Sequence, residues 1–280
     1  MIDLHCHSHY SDGVLSPRQL VRKAVNSGVR MLALTDHDTV AGLRDFKIAA
    51  ASENIHVING VELSARWKKH DIHILGLAID PENEALKRLL FTQRQNRQIR
   101  ALKISQLLAS CGIESALEKA RSIAKQGEIG RPHFAEVLVR EGYAADFQGA
   151  FTKFLGRGRK AYVDTQWAGL NDAVAGIIAA GGQAVIAHPL KYNLTRTKLL
   201  ELIAAFKDAG GIGLEVVSGD TSELQINDLC MLCEKLNLLA STGSDYHGDS
   251  FSRISLGQQP KLPLNCIPIW HQWTLQPGTL

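Results

Sequence analysis

The chain has no apolar run approaching the ~20 residues that a membrane-spanning helix needs, which argues against a transmembrane protein. Aromatic residues are scarce at 6%, so an extended base-stacking surface is not expected. Charge of one sign is lacking too. A formal net charge of +3 is too small to argue for duplex DNA and suits small anionic substrates better. The five cysteines are odd in number and have no framework spacing, so a reducing, cytoplasmic setting is expected. The single Cys-x-x-Cys, Cys230 and Cys233, falls in a helical segment and reads as buried helix cysteines. No repeat or low-complexity run is visible, and because a strand is read from the first residues, no signal peptide is expected.

What the chain does hold is histidine in a pattern. In the opening Ile2-Asp3-Leu4-His5-Cys6-His7-Ser8, alternation along a strand puts His5 and His7 on one face. Asp12 follows in the turn Ser11-Asp12-Gly13. Two imidazoles and a carboxylate suit a borderline divalent metal such as Zn, Mn or Fe. Alone, a His-x-His is often surface decoration, so the weight must come from other segments.

Those segments follow in order. Ser16-Pro17 opens a helix that Gly28 closes, and the buried strand 31–35 ends at Asp36-His37-Asp38. A helix over 40–53 leads to a strand over 55–63 containing Glu62, then to one over 72–77 containing His73. This β-α-β-α-β order predicts parallel strands under covering helices. From about Pro81 the pattern turns helical and charged, with helices over 83–111, 114–125, 132–141 and 146–154. Alternation resumes near Ala161. Strands over 183–187, 213–217 and 239–243 follow, the first ending at His188-Pro189 and the last at Ser244-Asp245-Tyr246-His247. The reading is therefore an α/β barrel domain of 1–80 and 161–280, with an all-helical insert over 81–160 capping the active site. The tail through Ile267, Trp270 and Trp273 reads as a closing segment.

Strands of a parallel α/β barrel end on one face, where active sites are built. Six of the eleven histidines (His5, His7, His37, His73, His188 and His247) are thereby expected to converge with Asp12, Glu62 and Asp245. Nine donors exceed what one cation takes, so two or three metals bridged by carboxylate are implied. Asp36 and Asp38 read as orienting or capping groups, and His9, His56, His70 and His271 as surface, second-layer or tail residues. Trp67 is expected to pack on the surface. Arg94, Arg97 and Arg100 recur every three residues on one helix face, and a solvated face is the expectation. In Gly130-Arg131-Pro132-His133, at a helix start that favours anions, Arg131 and His133 are candidate phosphate contacts. Lys191, two residues past Pro189, is a third.

These motifs resemble the polymerase and histidinol phosphatase (PHP) superfamily. The match rests on His5, His7 and Asp12, on Thr35-Asp36-His37, and on Glu62, His73, the Ala-His-Pro at His188, and the closing Asp245 and His247. The resemblance implies a distorted (β/α)7 barrel with a trinuclear centre, Mn first and Zn or Fe otherwise. It also implies an allocation: His5, His7, Glu62 and Asp245 on one metal; Glu62, His73 and His188 on a second; Asp12, His37 and His247 on the third. The length, the insert and Gly-Arg-Pro-His are similar to stand-alone bacterial PHP phosphoesterases. That branch is associated with removing the 3′-phosphate of nucleoside 3′,5′-bisphosphates and with trimming short RNA from its 5′ end.

The expected chemistry is metal-assisted phosphoester hydrolysis, with activated water attacking phosphorus in line and Asp12 or His247 passing a proton to the leaving oxygen. The substrate is a small phosphorylated nucleotide or short oligonucleotide. Rival readings are a histidinol-phosphate phosphatase, a C–N-cleaving amidohydrolase, and a non-catalytic or proofreading module serving a polymerase.

Overall fold

The computed structural model describes residues 1–271 and residue 273. Its strands are β1 (Ile2–Asp3), β2 (Met31–Leu34), β3 (His56–Trp67), β4 (His70–Leu77), β5 (Ala168–Gly169), β6 (Gln183–Ile186), β7 (Gly213–Ser218) and β8 (Leu239–Gly243). They pair in the order β1-β2-β3-β4-β6-β7-β8, with β5 on β3 outside this path. The ends of the path meet: Leu4 N–H donates to Thr242 O (2.9 Å) and Asp245 N–H to His5 O (2.8 Å). The result is a barrel-like α/β wall. Strand β2 is buried along its whole length, as its unbroken Met-Leu-Ala-Leu run requires.

One strand departs from the parallel pattern. β4 runs antiparallel to both β3 and β6. β3 continues to Trp67, beyond the apolar stretch that ends at Leu63, and turns back through Lys68, whose φ is 50°. Two lysines at that turn leave no helix-forming segment between the strands, so a hairpin replaces the crossover. Trp67 is buried in consequence, not on the surface, with the Lys68 ammonium 4.7 Å from its ring centroid.

Helices α1 (Pro17–Asn26), α2 (Leu43–Ala50), α7 (Leu170–Ala179), α8 (Arg196–Asp208) and α9 (Glu223–Leu236) cover the wall. In α1 the Ser16 side chain and Gln19 form a capping box, Pro17 opens the first turn, and Leu20, Val21 and Ala24 face the core. Removing that cap would cost about 1 kcal/mol. Between β4 and β5 lie α3 (Glu84–Ala109), α4 (Ala116–Ala124), α5 (Arg131–Arg140) and α6 (Phe147–Ala150), the last continuing as a π turn over Phe151–Leu155. The start of α3 buries Leu86 and Leu90 in the barrel's core. Its second half joins Ile104 and Leu108 to Phe134, Leu138 and Phe154 in a separate core. α3 is thus the strut that ties the two cores together.

Within the barrel, Leu4, Met31, Ala33, Leu75 and Val185 form a third cluster that Ile269 completes, with Trp270 and Trp273 packed against it. The tail is the closing segment its apolar residues predicted. The Cys230 sulfur is bonded to Cys266 in this tail, which corrects the expectation of five unpaired cysteines, while Cys233 is the buried, free helix cysteine expected. Among the described residues, no helix is long and apolar enough to cross a membrane.

Candidate metal centre

Glu62 is the hub of the strand ends. Its carboxylate is fully buried and meets five imidazoles. Oε1 lies 2.9 Å from His73 Nδ1 and 2.9 Å from His188 Nε2. Oε2 lies 3.2 Å from His5 Nε2, 3.1 Å from His7 Nε2 and 3.1 Å from His37 Nδ1. Asp245 Oδ1 stands 3.4 Å from both His5 Nε2 and His7 Nε2. On the other side of His7, Asp12 Oδ1 is 3.3 Å from His247 Nε2, and Asp12 Oδ2 is 3.7 Å from His37 Nε2. Three groups of donor atoms result: His5, His7, Glu62 and Asp245; His7, Asp12, His37 and His247; and His37, Glu62 and His73. His7, His37 and Glu62 each belong to two groups, and His188 reaches the hub through the Glu62 carboxylate.

The chemistry of this set fits divalent cations. Ligand atoms ~2.0–2.1 Å from a shared tetrahedral cation stand roughly 3.4 Å apart, close to the spacings around His5 and His7. Those two Nε2 atoms are themselves 3.2 Å apart, a contact that a bridging cation would explain. Asp12 Oδ1, His37 Nδ1, Glu62 Oε2 and His188 Nδ1 are buried without hydrogen-bond partners, and such atoms are costly unless something else satisfies them. Burial would raise the Glu62 carboxyl, but His37 and His5 hold it well below the usual carboxylate range. Burial likewise opposes ionised Asp12, which His37 and His247 hold well below that range. Both carboxylates therefore stay charged, as cation ligands must.

Further residues aim the donors. His5 Nδ1–H donates to Glu215 Oε1 (2.9 Å), which leaves its Nε2 lone pair facing Glu62. The other Glu215 oxygen accepts from His188 N–H (2.6 Å). His247 Nδ1–H donates to Asp245 O (2.9 Å), freeing Nε2 toward Asp12. Asp36 accepts from Ser8 N–H and from the hydroxyls of Ser8 and Ser11, clamping the His7 loop. Asp38 accepts from Ser64 N–H (2.8 Å), Gln93 Nε2 (3.1 Å) and Arg97 Nε (2.7 Å). Asp36 and Asp38 are the orienting groups expected of them. Three non-glycine residues here adopt left-handed backbone: Asp38 (φ 52°), His188 (φ 27°) and Asp245 (φ 52°). Such strain persists where surrounding bonds over-determine it. Gly243 serves the same packing, since a Cβ there would lie 2.2 Å from His5 Cβ.

The helical wall faces this rim. A cavity of about 830 Å³ opens between Asp12 and His247 on one side and α4, α5 and α6 on the other. His133 lines it, and its Nδ1 accepts from Gly130 N–H (2.9 Å), so the neutral ring carries its proton on Nε2. Burial keeps that imidazole below its usual pKa, hence neutral near pH 7. Arg131 rests its guanidinium over Phe151 (5.6 Å), and Lys191 is ion-paired with Asp245 Oδ2. The expectation of a solvated arginine face fails at two of three positions. Arg94 is exposed and pairs with Glu128 (2.7 Å), whereas Arg97 and Arg100 are buried because α3 lies along the rim there.

Glu215 and Arg97 are the functional candidates that the sequence reading missed. The signal for Glu215 was a carboxylate inside the apolar run of β7, Gly213-Leu214-Glu215-Val216-Val217. For Arg97 there was none beyond its spacing.

Comparison with known proteins agrees with this geometry. The model of the PHP domain matches residues 3–219. A 5′-3′ exoribonuclease of Haemophilus influenzae is 41% identical over 271 residues, covering 97% of this chain and 98% of its own. A 3′,5′-nucleoside bisphosphate phosphatase of Chromobacterium violaceum is 41% identical over 272 residues, covering 97% and 95%. A solved structure of an amidohydrolase from Chromobacterium violaceum, with bound sulfate and no metal, superposes with a TM-score of 0.92 at 41% identity, covering 96% of this chain and 94% of the other.

Proposed function

The chain belongs to the PHP family, and from that premise we propose that it is a metal-dependent phosphoric ester hydrolase acting on nucleoside 3′,5′-bisphosphates. It removes the 3′-phosphate, leaves the nucleoside 5′-monophosphate, and also trims short RNA from the 5′ end. The observation that carries the reading is the buried Glu62 carboxylate ringed by five imidazoles, in a chain 41% identical to relatives named for those two activities. The two reactions are one at the reacting atoms, because each breaks the bond between phosphorus and the 3′-oxygen of the first nucleoside.

We assign His5, His7, Asp12, His37, Glu62, His73, His188, Asp245 and His247 to two or three divalent ions, manganese first. When bound, such ions activate water and neutralise charge on the phosphoryl oxygens. The residues themselves do the rest. Glu215 holds His5 in the tautomer that offers Nε2. Asp12 and His247, 3.3 Å apart at the mouth of the cavity, serve there as ligands and not as proton donors, because Asp12 stays ionised and the His247 Nδ1–H is given to Asp245 O. The leaving 3′-oxygen takes its proton from water. Arg131, the His133 Nε2–H and Lys191 contact phosphate oxygens. Lys191 also steadies the outer oxygen of Asp245. With nucleotide substrates, the working compartment is the cytoplasm.

The test is phosphate release by manganese-loaded protein from adenosine 3′,5′-bisphosphate, beside histidinol phosphate and a short 5′-phosphorylated RNA. The expected result is AMP from the first, mononucleotides from the RNA, and loss of both on chelation. Turnover of histidinol phosphate alone would overturn the substrate; no turnover at all would overturn the reaction.

A further inference from the structure

Positive charge gathers away from the metal centre, where the tip of the β3–β4 hairpin meets the loop that leads out of the helical insert. Lys68, Lys69 and His70 form the tip, Arg157, Arg159 and Lys160 lie on the loop, and Lys198 stands in the first turn of α8. The Arg157 Nη1–H donates to Lys69 O (2.8 Å), which pins the loop to the tip. Lys68 Nζ reaches Glu201 Oε2 (2.5 Å) and ties the tip to α8. Burial, and then the charges of Lys198, Arg157 and Lys69, lower the His70 pKa, so these three cations surround one imidazole. The lysines and arginines of the group are all exposed. Among the described residues, Lys69, Arg157, Arg159, Lys160 and Lys198 make no ion pair.

Like charges placed together repel, so folding gains nothing from gathering them. Those five unpaired charges exceed the net +3 of the whole chain, so the rest of the molecule is net negative. A polyanion is therefore drawn to this face and away from others. Trp67 is buried beneath Lys68, and neither the tip nor the loop exposes a large apolar side chain, so the face lacks what would enter a lipid surface. Its distance from the reaction fits an RNA chain. His70 precedes His73 by three residues along β4, and Trp67 follows Glu62 by five along β3, so the tip stands roughly 10–17 Å beyond those donors. A single nucleotide seated at the metal centre ends short of it. A chain of several nucleotides covers it.

Resting on the reading that short RNA is a substrate, we propose that Lys69, Arg157, Arg159, Lys160 and Lys198 form a docking face for the phosphate backbone of single-stranded RNA whose 5′ end occupies the metal centre. The face contributes nothing to a mononucleotide. It lets one catalytic centre serve two substrates of different length, and it acts on affinity for RNA, not on the bond broken. Because it contacts phosphates alone, it reads charge and not sequence.

The test is the double variant Arg157→Gln/Lys160→Gln, with Arg44→Gln/Lys47→Gln on α2 as a matched pair of exposed cations elsewhere. Binding of a fluorescein-labelled single-stranded RNA of about 12 nucleotides is read by anisotropy, with chelator present so that no turnover is needed. Loss of two phosphate contacts should weaken binding ~10-fold or more at about 0.1 M salt, and make the slope of log affinity against log salt shallower by ~1.4. The α2 pair should stay within about twofold of wild type. With manganese, KM for the same RNA should rise by the factor lost in binding, while kcat/KM for adenosine 3′,5′-bisphosphate stays within about twofold. Equal losses in the two pairs, an unchanged RNA affinity and slope, or an equal fall on the bisphosphate would each overturn the face. Binding to vesicles of anionic lipid but not to the RNA would overturn its partner. If RNA binding falls as expected and no RNA is hydrolysed, the docking face stands and the functional reading falls. Should the double variant not fold, Lys198→Glu at the α8 edge of the face decides on the same criteria.

Discussion

At the barrel rim, His5 gives one ring nitrogen to Glu215 and turns the other toward Glu62, while Glu215 spends its second oxygen on the main chain of His188. On the helical wall opposite, Arg100 and Arg131 lie over the rings of Trp167 and Phe151, and among the described residues neither makes an ion pair. The rim's donors are oriented from behind, so that they point at one another with no freedom to turn away. The wall's cations are oriented too, but by stacking that leaves their polar edges open. The difference separates two tasks. A cation needs rigid donors at fixed spacing, supplied by strand ends whose directions the sheet sets. A substrate that enters and leaves needs polar edges that are held but unspent.

Arg97 is where the two regions join, since it links α3 to Asp38 beside His37. The Asp38 side chain is fully buried and that of Arg97 is nearly so. Arg97→Met would leave the carboxylate with Gln93 and Ser64 N–H alone. The expected cost is about 3–5 kcal/mol of folding stability, the range for removing one partner of a buried pair. Urea unfolding would measure it. A loss under ~1 kcal/mol would mean that the rim and wall are independent, and that Arg97 is no strut.

A smaller effect is expected within the rim. Glu215→Gln keeps the shape but can offer its amide nitrogen to His5 Nδ1, favouring the tautomer that places a proton on Nε2. Metal affinity should fall roughly 10–100-fold, as for other partners that orient a ligating imidazole. Titrating metal-free protein with manganese, followed by bound-metal analysis, reads this directly. Affinity within twofold of wild type would show that the rim does not depend on its supporting carboxylate.

The same contrast explains what could be read from the chain. The rim was legible because strand ends repeat: His37, Glu62, His188 and Asp245 each follow or close an apolar run, and period two puts His5 beside His7. The antiparallel β4 was not, since a hairpin and a crossover differ by a turn at Lys68-Lys69 that apolar periodicity does not register. The wall was legible as helices but not as chemistry. Spacing of three puts Arg94, Arg97 and Arg100 on one face, yet which of them meets solvent depends on how α3 crosses the rim, a property of packing. Glu215 fell between these cases. Its strand was recognised, and a lone carboxylate in it pointed to a buried partner that only the folded chain identifies.

Arg94 is the measure of how sharply that packing changes along one helix. It sits two turns before Arg100 on the same face, but its side chain is 61% exposed and its partner, Glu128, lies on the loop before α5. An exposed pair of this kind contributes about 0–1 kcal/mol. Arg94→Ala should therefore leave urea stability within about 1 kcal/mol of wild type. A loss as large as that expected for Arg97→Met would mean that the buried stretch of α3 begins a turn earlier. A loss within that bound would confine the strut to the segment where α3 passes under Trp167.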